Sequence, residues 1–130
     1  MLENLVLYQK IYDFTLWLYP IINRFPKSQR FVLGQKIENR LVEMLEAVAS
    51  AAQERYKLPL VKKASADLEI LRLLIRLACD LHFISVKTYG VAAERMNEIG
   101  RLIGGFLNQR GVVGRDRQVF SEDLPVLPNN

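Results

Sequence analysis

Apolar residues recur at helical spacing along most of this chain. Leu5, Tyr8, Tyr12, Leu16, Tyr19 and Asn23 follow one stripe, and Leu7, Ile11, Phe14 and Leu18 widen it, which predicts a first helix over 4–23. Pro20 lies inside that pattern. It lacks a backbone donor and clashes with the carbonyl four residues back, so a kink near Leu16–Trp17 or an early end is expected. A second helix starts around 26–28, with Pro26 tolerated in its first turn and Ser28 as a cap. Its core stripe is Leu33, Ile37, Leu41, Met44, Leu45, Val48 and Ala52, and Gly34 marks a close helix approach. The stretch 56–60 breaks the pattern. A third helix follows with Ser65 as N-cap and with Asp67 and Glu69 at the positive helix end. Ala92, Met96, Ile99, Ile103 and Phe106 define a fourth over 88–110, stopped by Gly111. Gly100 and Gly104 stand on another face of it, either against a neighbouring helix or simply exposed. Four helices with short links predict an all-α, up-down-up-down four-helix bundle over 1–111. Residues 112–130 lose the periodicity. They begin basic (Arg115, Arg117), turn acidic (Glu122, Asp123) and carry Pro125 and Pro128, which reads as an extended or disordered tail.

The third run is the most informative. From Leu68 to Ile84 only Glu69, Arg72, Arg76, Asp80 and His82 interrupt the apolar residues, and the four charges form one narrow stripe. A bundle helix needs only about three apolar positions in seven to face its own core. This helix must be covered on a second side, so a subunit interface is expected.

Composition narrows the rest. The chain has 130 residues and a formal net charge of +4, a mildly basic single domain with only a weak preference for a polyanionic partner. Its one cysteine, Cys79, cannot form an internal disulfide and reads as a small buried hydrophobe in a reducing, cytoplasmic setting. No basic leader precedes an apolar stretch, and the longest charge-free run, 14–23, falls short of the roughly twenty residues a bilayer needs. No membrane association is expected.

Candidate chemistry begins with exclusions. His82 is the only histidine, which excludes a two-histidine zinc site and paired Glu-x-x-His di-iron motifs. No glycine run follows a strand as a phosphate loop would. No metal, cofactor or enzymatic activity is expected. One pattern opposes that reading. Arg76 and His82 resemble, loosely, the arginine–histidine pair of the HEPN ribonucleases, although Leu77 stands where that motif carries a polar residue. A structural histidine at the end of an apolar helix is the commoner outcome.

The cations are the better lead. Arg24, Lys27, Arg30, Lys36 and Arg40 gather before and early in the second helix, against one acid, Glu38, while Glu43, Glu46 and Glu54 come later. That order opposes the helix dipole. A phosphate-binding surface accounts for it, and a solvated face is the alternative. Arg72 and Arg76 are one turn apart, flanked by Glu69 and Asp80. They make either an intrahelical salt-bridge ladder or a pair of arginines held for phosphates, with Arg101 and Lys62–Lys63 extending the surface. Trp17 and most tyrosines fall on the first helix's apolar stripes, in the expected core, leaving little for base stacking.

The segments LYPIINRFPKSQRFVLGQKIENRL (18–41), LEILRLLIRLACDL and EIGRLIGGFLN (98–108) resemble the accessory variability determinant (Avd) proteins of diversity-generating retroelements. Those belong to a wider group of four-helix bundles that includes proteins encoded by intervening sequences in bacterial 23S ribosomal RNA genes. The resemblance covers about 7–110. The Leu71–Leu77 element and the Glu-Ile-Gly-Arg-x-x-Gly-Gly segment resemble the Avd branch, and Phe25–Pro26 is common to both. The resemblance implies a cyclic homo-oligomer, a homopentameric barrel, with a basic surface and no chemistry of its own. It implies binding to the retroelement reverse transcriptase and to template RNA, and by extension DNA, in support of adenine-mutagenic retrohoming. It places Arg72 and Arg76 first among the contact residues. Lys27, Arg30, Lys36 and Arg40 come second, on charge alone. The competing readings are a ribosomal-type bundle with another partner, a ribonuclease using Arg76 and His82, and a bundle that only self-associates.

Overall fold

The structure, a computed structural model, describes residues 2–109, with side chains from Leu5 to Asn108. The helices are α1 (Leu2–Ile22), a single turn α2 (Lys27–Arg30), α3 (Leu33–Ala51), α4 (Leu58–Asp80) and α5 (Val86–Gln109), with no strand among the described residues. The predicted tail, 112–130, and the Gly111 stop lie outside the described residues.

The four long helices pack in a closed ring, α1 against α3 and α5, and α4 against α3 and α5. Each neighbouring pair runs antiparallel, as its contacts show. Lys10 meets Glu98 and Trp17 meets Arg95 between α1 and α5. Arg40 meets Asp67 and Glu43 meets Lys63 between α3 and α4. Arg72 reaches Asn97, and Leu68 lies against Gly100, between α4 and α5. The core holds Leu7, Ile11, Phe14, Leu18 and Ile22 of α1, Ile37, Leu41, Met44 and Val48 of α3, Leu68, Leu71, Ile75 and Ala78 of α4, and Ala92, Met96, Ile99, Ile103 and Phe106 of α5.

Several boundaries differ from expectation. The third helix begins seven residues earlier than Ser65, at Leu58, with Pro59 in its first turn, where a missing N–H costs nothing. Asp67 is therefore mid-helix, not at the positive end, and Lys62–Lys63 lie within α4. The second helix is split. Phe31 and Val32 separate α2 from α3, and Ser28 sits inside α2 and caps nothing. Pro20 does not end α1 early. It lies in the last turn, and Asn23 N–H still reaches the Tyr19 carbonyl at 3.0 Å. The fourth helix starts at Val86, where the Ser85 hydroxyl accepts the Thr88 N–H at 3.0 Å, an N-terminal cap.

The first helix also faces differently. The set read as widening the stripe is the core, while Leu5, Tyr12 and Leu16 point outward, at 63%, 41% and 59% exposure. α1 is apolar nearly all round, so its spacing fits two faces, and only the other helices choose between them. Gly34 is the predicted close approach. A Cβ there would stand 2.9 Å from Ile22 Cγ2. Gly100 packs under Arg72, whereas nothing lies within 4 Å of a Cβ at Gly104.

Candidate nucleic-acid and partner interface

α4 positions most of the candidate residues. At 100° per residue, Leu68, Leu71, Ile75 and Ala78 fall on its bundle side, and Ile70, Leu73, Leu77 and Leu81 fall opposite. Those four are 37%, 65%, 43% and 48% exposed, a continuous apolar stripe that the described residues leave uncovered. The sequence's excess of apolar residues is this stripe. α1 carries a second, made of Leu5, Tyr12 and Leu16. α1 and α4 are diagonal in the ring, so the two stripes point away from each other.

The two α4 arginines part company. Arg72 turns onto α5. It donates to Asn97 Oδ1 at 2.7 Å and to the Met96 carbonyl at 3.4 Å, and it pairs with Glu69 at 3.3 Å. It is a clamp between helices. Arg76 points out beside the apolar stripe, 71% exposed, with Asp80 at 3.8 Å. An exposed pair of this kind holds its partners only weakly.

The early cations also divide. Arg40 is 3.0 Å from Asp67 and 3.7 Å from Glu43. Asp67 is fully buried and takes Lys63 as well, at 2.7 and 2.8 Å. Two cations thus neutralise one buried carboxylate, as burial of a charge requires. The hydrogen bond from Lys63, then its charge, hold the Glu43 carboxyl below its ordinary range, and the bond to Asp67 raises Lys63. Lys27 and Lys36 are exposed and make no ion pair among the described residues. Arg30 is half-buried on α2, and its Nε lacks a hydrogen-bond partner. Because Lys27 and Arg30 lie on α2, they do not oppose the α3 dipole. Of the expected cluster, only Lys36 stands unneutralised early in α3.

Arg101 is exposed on α5 beside a polar cleft of about 530 Å³ lined by Lys10, Asp13, Glu94, Arg95 and Glu98. The Arg95 guanidinium sits 4.9 Å from the Trp17 ring centre, a pairing the sequence reading did not foresee. Trp17 is accordingly half-buried at the edge of the core.

His82 closes α4. Its φ of 66° is left-handed, its N–H reaches the Cys79 carbonyl at 2.9 Å, and the Phe83 N–H reaches Ala78 at 2.8 Å. These are the two bonds of a Schellman stop. The imidazole itself is exposed, so the residue's structural work is done by its backbone. Among the described residues no group of three or more histidine, cysteine or carboxylate side chains converges as a metal site, and no helix is long and apolar enough to cross a membrane.

On α3, burial raises the Glu38 carboxyl above its ordinary range, and burial together with Glu38 raises the Tyr19 hydroxyl. Asp67 was missed as a fixed point because its neighbours at 64, 68 and 71 place it at the edge of a core that the sequence located one turn later.

The fold and these surfaces define an all-α bundle of four long antiparallel helices with two uncovered apolar stripes. Residues 5–110 match the family described as bAvd-like, and the chain belongs to that family. The match is consistent with an accessory variability determinant protein. Among curated proteins none matches the chain significantly.

Proposed function

We propose that the protein is a non-catalytic accessory factor of a diversity-generating retroelement. It binds the reverse transcriptase and its template RNA or cDNA and supports mutagenic copying. Membership of the bAvd-like family is the observation that carries this reading. Copies associate through the two stripes, the α1 face of one copy on the α4 face of the next. Contacts between unlike faces propagate head to tail and close into rings when the angle permits, which agrees with the pentameric barrel of the family resemblance. Lys27, Lys36, Arg76 and Arg101, with Arg30, are the cations that face a polyanion. Arg40 and Arg72 serve the bundle first.

A gel-shift titration of structured RNA at two salt concentrations tests the reading. Wild type is compared with Lys27→Ala/Lys36→Ala/Arg76→Ala. The expected result is a shift of intact RNA that weakens steeply with salt, because phosphate contacts release counterions, and that weakens further in the triple variant. No shift at low salt removes the direct nucleic-acid role. Cut RNA favours the ribonuclease alternative, in which the exposed His82 imidazole and Arg76 would act together.

A further inference from the structure

One end of the bundle has a composition that neither the core nor the lateral stripes account for. The α1–α2 and α4–α5 connections meet there, with the Phe25 and Phe83 rings 5.6 Å apart. Around them stand Phe31 (71% exposed), Val32 (52%), Leu81 (48%) and Val86 (79%). Beside Phe83 and Val86 is a depression of about 480 Å³, also lined by Ile84 and Cys79. The charges of this end are mainly basic. Arg24, Lys27, Arg30 and Lys87 have no ion pair among the described residues, against one acid, Asp80, which lines the depression and lies 3.8 Å from Arg76. An occupant must therefore offer apolar side chains next to carboxylates.

The chain contains such a segment. Residues 119–127 read Val-Phe-Ser-Glu-Asp-Leu-Pro-Val-Leu, with Glu122 and Asp123 set between apolar residues. α5 runs away from this end for 24 residues, about 36 Å at roughly 1.5 Å per residue. The stretch from Gln109 to Glu122 extends to about 40 Å at roughly 3.3 Å per residue, enough to return along the bundle. We propose that residues 119–127 dock on this basic, apolar end of their own bundle, with Glu122 and Asp123 against Lys27, Arg30 and Lys87, and Phe120, Leu124 and Leu127 against Phe31, Val32 and Val86. The inference does not rest on the nucleic-acid reading, although Lys27 and Arg30 serve both, so a docked segment would compete with a polyanion for them.

The test uses the full chain with a benzophenone amino acid in place of Leu124, prepared in heavy and light isotopic forms and mixed. After illumination, cross-links are mapped by mass spectrometry. The expected products are light–light and heavy–heavy links to 31–32 and 81–87, lost in Glu122→Lys/Asp123→Lys and regained when Lys27→Glu and Lys87→Glu are added. Lys27 and Lys87 are exposed, so changing them does not threaten the fold. Links to other parts of the bundle, links chiefly between heavy and light chains, or no links each overturn the proposal. The mixed product would instead mark this end as a contact between copies.

Discussion

The Arg72 guanidinium lies 2.9 Å from where a Cβ on Gly100 would stand, while Ile22 Cγ2 lies 2.9 Å from the same point on Gly34. The distances are equal and the consequences differ. Arg72 is the far end of a long side chain and can move aside. Ile22 is fully buried and its methyl sits on a stiff branched carbon. Gly100→Ala is expected to be neutral within about 1 kcal/mol, the gain in helix propensity offsetting a shifted Arg72. Gly34→Ala is expected to destabilise by about 1–3 kcal/mol through overpacking. Urea unfolding of both variants checks the pair, and equal effects would contradict the packing described.

Asp67→Asn should destabilise by about 2–3 kcal/mol, below the roughly 3–5 kcal/mol of a fully buried broken pair because Arg40 and Lys63 are partly exposed and can turn to water. Lys63→Met should cost less, since Arg40 still holds the carboxylate. Thermal denaturation in both variants reads the order, and the reverse order would mean that Lys63 is the principal partner.

Two glutamates on α3 have opposite pH signatures. The Glu43 carboxyl is lowered by the Lys63 hydrogen bond, so its contribution is present above the unfolded carboxylate pKa and is lost as pH falls through the folded one. The Glu38 carboxyl is raised by burial, so its contribution is full below the unfolded pKa and is lost as pH rises through the folded one. Glu38→Gln should therefore flatten the loss of stability on the alkaline side of that window, and Glu43→Gln should flatten the loss on the acid side. Denaturation midpoints measured from acid to neutral pH separate them. Matching profiles would refute the assigned environments.

His82→Gly should stabilise the bundle by about 1 kcal/mol, because a left-handed backbone costs a histidine roughly that much and costs glycine little. RNA incubated with this variant and with wild type should stay intact in both. Cleavage by wild type that the variant lacks would restore the ribonuclease alternative.

If copies join by unlike faces, Leu16→Glu and Leu73→Glu should each reduce assembly without changing the monomer's fold, since both positions are exposed. Mixed, the two variants retain one good α4 face and one good α1 face and should form a one-to-one dimer. Light scattering after size-exclusion chromatography measures this. A dimer of either variant alone would show that each face pairs with its own kind, and a mixture that stays monomeric would show that the two stripes are not the interface.

Much of the bundle was legible because α3 and α5 each have one apolar face: Leu33, Ile37, Leu41, Met44 and Val48 of α3 and Ala92, Met96, Ile99, Ile103 and Phe106 of α5 are buried as their spacing predicts, although Leu45 is only half-buried and Ala52 is exposed beyond the end of α3. α1 defeated the same method, since Leu5, Tyr12 and Leu16 keep helical spacing on a face that the core does not use. The start of α4 was missed because Pro59 resembles a break and is in fact a first-turn residue. Charge was the least legible feature. Arg40 and Arg72 look like free cations in sequence and are tied across helix seams by Asp67 and Asn97, partners 27 and 25 residues away. Lys27 and Lys36 are exposed and make no ion pair among the described residues.

Trp17 is the chain's single tryptophan, and it lies under Arg95 where α1 meets α5. Its emission is therefore an optical gauge of that one seam, with no dye and no labelling. An assembly step that only caps the α4 stripe should leave the spectrum still, while one that pries α1 from α5 should shift it to the red as water reaches the indole. The molecule carries its own indicator of whether association is a docking of rigid bodies or a rearrangement.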